Sequence, residues 1–129
     1  MTPTTVIVIS PSGMLGVALS RALSTSGFQI VPVRPGPDVL DAVRRVRPRI
    51  AVIDRIDERP EAAQLEIALL KTLSPDVQII AVSDRSSEVD AAVIEQGIFY
   101  YAVGASSGEL VQLINAAERS YSRKGEVHS

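Results

Sequence analysis

The residue best placed to do chemistry is Asp54. It closes the run Arg49-Ile50-Ala51-Val52-Ile53-Asp54, mostly β-branched and apolar until its last residue. A carboxylate at the end of such a run can attack an electrophile, hold a cation or serve as a fixed anion. Asp57, Glu58 and Asp84 lie on polar stretches that could share a cation with it. Arg55 and Arg85 offer the opposite chemistry, because a guanidinium beside a carboxylate holds it ionised. Ser83 ends a second apolar run, Val77 to Val82. A separate motif is Ser10-Pro11-Ser12-Gly13-Met14-Leu15-Gly16. It carries two of the three glycines of a dinucleotide loop, followed by Arg34 where a cation could meet a 2′-phosphate.

Composition removes most other chemistry. The 129 residues contain no Cys and one His, His128. Thiol nucleophiles, zinc–thiolate sites and histidine triads are therefore excluded or starved of ligands. The net charge of −2 argues against a nucleic-acid footprint and against a basic membrane patch. No apolar run approaches the roughly 20 residues of a membrane span, and no charged segment precedes the first apolar run as in a secretion signal. The expectation is a cytoplasmic protein without metal or other cofactor. With aromatics at only 4%, its core must be built from Val, Ile, Leu and Ala.

The elements that position these residues alternate. Thr5–Ile9, Phe28–Val33, Arg49–Asp54, Val77–Ser83 and Ile98–Val103 read as strands, mostly apolar on both faces. Pro32 lacks an amide donor and puts the second strand at an edge. Between them, Met14–Ser26, the segment after the capping Asp38, Glu61–Leu73 and the segment after Ser86 or Ser87 carry helical apolar spacing. The inner face of Glu61–Leu73 is expected at Leu65, Leu69, Leu70 and Leu73. Glu109 to Tyr121 forms the last helix, and 122–129 a polar tail or linker, with an effector domain expected beyond Ser129. Five strand–helix units with short connections give a parallel sheet covered on both faces. The fold class is thus α/β, a flavodoxin-like (βα)5 three-layer sandwich with strand order 2-1-3-4-5 and one domain over 1–121. Arg44, Arg45, Arg47 and Arg49 read as a solvated helix end, where cations suit the helix dipole.

From Thr4 to about Arg119 the chain resembles the receiver domain of two-component response regulators. Pro48 precedes the Asp54 strand, and Asp54 matches the phosphoacceptor. Ser83 matches the switch hydroxyl, Tyr101 the aromatic switch, and Gly97 and Glu109-Leu110 fit as well. Where the family has a magnesium-binding acid pair, this chain has Ser10 and Pro11, with Ser12 at a further acidic position. The family lysine matches Gly104 and the proline after it Ala105. Magnesium requires hard oxygen ligands in a near-octahedral shell. Phosphoryl transfer depends on such cations, each well-placed group lowering the barrier by roughly 3–4 kcal/mol.

The resemblance therefore implies a pseudo-receiver. It would be a non-enzymatic signalling module not phosphorylated by the magnesium-dependent route. It would act on a protein partner, or as a homodimer, through the face Ser87–Tyr121. The alternative is an NAD(P)-binding fragment using Ser10–Gly16. That loop lacks its first glycine, replaced by Ser10, and the chain has no Tyr-x-x-x-Lys pair and no room for a substrate domain.

Overall fold

The computed structural model describes residues 3–85 and 90–127. In chain order the elements are β1 (Thr4–Ile9), α1 (Gly13–Leu23), β2 (Phe28–Val33), α2 (Asp38–Val46), β3 (Ile50–Ile53), α3 (Pro60–Leu73), β4 (Gln78–Ser83), α4 (Asp90–Glu95), β5 (Tyr100–Val103) and α5 (Ser107–Val127). The strands form one parallel sheet in the order β2-β1-β3-β4-β5, as expected.

Alternate residues of each strand serve opposite faces, and the two cores follow that parity. Val6, Val8, Ile50, Val52, Ile80 and Val82 pack with Leu19, Leu23, Leu110 and Ile114, under α1 and α5. Ile7, Ile9, Ala51, Ile53, Ile79 and Ala81 pack with Val39, Val43, Ile67, Leu70 and Val93, under α2, α3 and α4. Every residue of β3 is buried because both layers cover it. Pro32 sits on the outermost strand, where its missing donor breaks no ladder bond.

Several boundaries and one helix face differ from the expectations above. Asp38 is the first residue of α2, not its cap; Pro37 occupies the cap and makes no side-chain bond there. α1 ends at Leu23, β5 begins at Tyr100, and α5 begins at Ser107 and continues to Val127. The expected caps Ser86 and Ser87 lie outside the described residues. On α3 the buried stripe is Ala63, Glu66, Ile67 and Leu70. Leu70 belongs to it as expected, but Leu65 is 72% exposed and Leu73 is exposed too. Leu69 is partly buried against the same core, as expected, and Glu66 turns inward to meet an arginine.

Candidate functional site

The C-terminal ends of β1, β3 and β4 converge, and backbone bonds carry the convergence past the strands. The Asp54 amide donates to the Ile9 carbonyl at 2.9 Å, and the Ser10 amide to the Val33 carbonyl at 3.1 Å. Arg55 then takes a left-handed conformation, φ 54°. That reversal lets the Ile56 amide return to the Val82 carbonyl at 3.0 Å and buries Ile56 completely. A non-glycine residue in this region is strained by roughly 1–2 kcal/mol, so the loop after β3 is held by its surroundings rather than by local preference.

Ser10 is what meets Asp54. Its hydroxyl donates to Asp54 Oδ2 at 2.8 Å, and its oxygen accepts the Ser12 amide at 3.2 Å. Ser12 caps α1 by accepting the Met14 amide at 3.2 Å. Both serines thus hold the turn between β1 and α1, and the exposed Pro11 contributes no side-chain ligand. On the other side of Asp54, Arg55 Nε lies 4.0 Å from Oδ2 and pairs more closely with Glu58, at 3.6 Å. Among the described residues no ion pair joins Arg85 to Asp54.

The strongest side-chain element was not anticipated. Arg59, at the start of α3, donates through Nη1 to both oxygens of Glu66 at 2.7 and 2.8 Å. Through Nη2 it donates to the Asp54 carbonyl at 3.1 Å. The guanidinium therefore ties the loop after β3 to the helix that follows it. Burial pushes the Glu66 carboxyl above its ordinary range, while the Arg59 hydrogen bond and charge pull the other way. The sequence carried a signal for this pair. Glu66 is a charged residue in phase with Ala63, Ile67 and Leu70, and Arg59 lies two helical turns before it.

The remaining expected residues are placed less centrally. Ser83 is fully buried at the end of β4, but its hydroxyl donates to the Arg85 carbonyl. Tyr101 pairs in register with Ala81 and packs, half-buried, against the core under α2, α3 and α4. Asp57 accepts the Asp84 amide at 3.3 Å, so it serves a loop. Gly104 has φ +65° and donates its amide to the Ser83 carbonyl at 2.8 Å. A lysine at that position would be strained in the same turn.

Comparison with solved structures decides the fold. The signal receiver domain of a putative LuxO repressor protein from Vibrio parahaemolyticus superposes with a TM-score of 0.83 at 12% identity, over 98% of both chains. The fold is that of a response-regulator receiver domain. A Burkholderia pseudomallei response regulator, solved with a phosphorylated aspartic acid, calcium ion and citrate, gives 0.75 at 18% identity. That match covers 97% of this chain and 72% of the other. The beryllofluoride-activated NtrC4 receiver domain dimer gives 0.74 at 21% identity, covering 91% and 98%. No protein-family model and no curated protein matches the sequence.

Receivers carry a magnesium ion beside the acceptor aspartate, and the residues present here do not fit one. Among the described residues no three acidic or histidine side chains come together at any point. Ser10 donates its proton to Asp54 Oδ2, and Ser10 and Pro11 stand where the carboxylates that magnesium prefers would be expected. The dinucleotide reading is not favoured either. Ser10, Ser12, Gly13, Gly16 and Arg34 do line a cleft of about 230 Å³. Gly16, however, lacks a side chain for another reason, since a Cβ there would lie 2.9 Å from Pro32 Cβ. Its smallness lets α1 pack on β2.

Proposed function

We propose that this chain is a cytoplasmic, receiver-like signalling module that works by protein–protein contact, without enzymatic turnover. It is not phosphorylated by the magnesium-dependent route, and it needs no cofactor. The observation that carries this reading is the 2.8 Å bond from Ser10 to Asp54. A hydroxyl from the position of the missing acid pair engages the acceptor carboxylate internally. Phosphorylation would need that carboxylate free to attack and its charge offset by cations. Among the described residues, the groups bonded or paired to that carboxylate are the Ser10 hydroxyl and, at 4.0 Å, Arg55.

The partner surface in this reading is the Ser87–Tyr121 face, read as a site for another protein or a second copy. Tyr100 and Val103 on β5 are about half exposed. With Glu109, Gln112 and Leu113 of α5 they line a cleft of about 290 Å³. The similar NtrC4 receiver domain forms a dimer in its beryllofluoride-activated state. An apolar patch with a polar rim is the usual anatomy of such contacts. Direct binding of nucleic acid is not expected at a net charge of −2, and no described helix is long and apolar enough to cross a membrane.

The test is incubation with magnesium and acetyl phosphate, read by intact mass. The expected spectrum is that of the unmodified chain. A stable single-phosphate adduct mapped to Asp54 would overturn the reading.

A further inference from the structure

α3 carries two apolar stripes; the sheet buries one, and of the second Leu69 alone packs against the core. Ala63, Ile67 and Leu70 face inward with Glu66. The second stripe, Ala62, Leu65, Leu69 and Leu73, repeats at the three-and-four spacing of helices that pack on other helices. Leu65 is 72% exposed and Leu73 38%. Beside it, Leu40 of α2 is 37% exposed, and Leu40, Leu65 and Leu69 line a shallow groove of about 220 Å³ between the two helices. Large exposed apolar residues gathered in one patch, rather than scattered, mark a contact surface.

The charges around the groove indicate what covers it. α2 and α3 both leave the C-terminal ends of parallel strands, so they run in the same direction. Asp38, Asp41 and Glu61 lie in their first turns, and Arg44 and Arg45 in the last turn of α2. All five side chains are exposed. Glu61 is four residues before Leu65, and Arg44 is four after Leu40, so each shares a helical row with a groove leucine. The face is thus acidic at one end, apolar in the middle and basic at the other.

We infer that the outer face of α2 and α3 is a self-association surface that takes a second copy of this chain in an antiparallel, two-fold arrangement. Two-fold pairing is self-complementary. It brings the leucines of both copies together and lays α2 of each copy on α2 of the other, with Asp41 of each toward Arg44 of the other. A two-fold axis along the helices would instead lay α2 on the other copy's α3 and set Asp38 and Asp41 against Glu61. This surface is separate from the β5–α5 face proposed above and does not depend on it.

Sedimentation equilibrium on the full chain tests the inference. The wild-type chain is expected to form a reversible dimer. Leu65→Asp is expected to weaken it more than roughly tenfold, with an unchanged melting temperature at concentrations where both chains are monomeric, because Leu65 is solvent-exposed. Asp41→Arg should weaken the dimer, and adding Arg44→Asp should restore it, since the swap rebuilds the pair across the axis. Tyr100→Asp, on the other face, should leave it intact. A wild-type chain that stays monomeric throughout the concentration range would overturn the inference. So would a dimer that survives Leu65→Asp, or one that the charge swap does not restore.

Discussion

The two halves of the candidate site hold their loops by different means. At the β1–β3 half, side chains bind the loops across the fold: Ser10 to Asp54, and Arg59 to both Glu66 and the Asp54 carbonyl. At the β4–β5 half, the Ser83 hydroxyl turns to a carbonyl two residues away, and the left-handed Gly104 carries the β4–β5 ladder one bond further, to the Ser83 carbonyl. The first half is cross-linked by side chains around Asp54; the second is held by backbone bonds and turn geometry. In a receiver with metal and lysine, the acceptor charge would be the element both halves answer to. Here the Asp54 carboxylate takes the Ser10 hydroxyl, and Arg59 binds the Asp54 main-chain carbonyl. The loop after β3 reaches the residues on either side of Ser83, through Ile56 to Val82 and Asp57 to Asp84, and the described bonds leave the Ser83 hydroxyl on the Arg85 carbonyl.

The largest effect that sharpens this contrast is expected at Arg59. Arg59→Met leaves Glu66 buried without its partner and frees the Asp54 carbonyl, so unfolding free energy should fall by about 3 kcal/mol in urea titration. Adding Glu66→Leu should recover most of that loss, because an apolar pair replaces the buried ions. A loss under about 1 kcal/mol for the single variant would show that the cross-link is not what distinguishes this half.

Ser10→Ala comes next. It removes the donor to a partly buried carboxylate and should cost about 1.5 kcal/mol by the same measurement. A neutral result would mean that water replaces the hydroxyl without loss, and the acceptor half would then be less fixed than described. In the other half, Gly104→Ala should cost about 1 kcal/mol, from the left-handed backbone alone. No change there would break the claim that β4–β5 is held by turn geometry.

The smallest effect is in pH. Glu66 titrates above its ordinary value in the folded chain, so the folded state binds its proton more tightly than the unfolded state. Its contribution to stability is fully present below the unfolded value and is lost as pH rises through the folded one. Relative to Glu66→Gln, the wild-type melting temperature should therefore fall as pH rises from the ordinary glutamate range toward neutrality. A difference that stays flat or grows would contradict the desolvated placement of Glu66.

Much of the fold was legible because the central strands announce themselves. The runs ending at Ile9, Ile53 and Ser83 are apolar on both faces, which only a doubly covered parallel sheet requires. Pro32 identified an edge by chemistry rather than by propensity. The rotation of α3 was only partly legible from apolar spacing: Leu69 and Leu70 pack on the core as expected, but Leu65 and Leu73 are exposed, and Ala63, Glu66 and Ile67 are buried instead. At the site, the substitutions at Ser10, Pro11 and Gly104 were readable one by one. The bond that Ser10 makes was not, because it spans 44 residues of sequence and depends on the register of β1 against β3. Arg55 and Arg85 were the arginines expected beside Asp54. The left-handed turn at Arg55 carries the chain on so that Arg59 reaches the Asp54 carbonyl instead.

If Ser10 takes the place of a cation at Asp54, magnesium titration followed through the amide NMR resonances of Ser10, Ser12, Asp54 and Arg55 should give no saturable shift at millimolar magnesium in the wild-type chain. Saturable shifts at these four amides, abolished by Asp54→Asn, would contradict it.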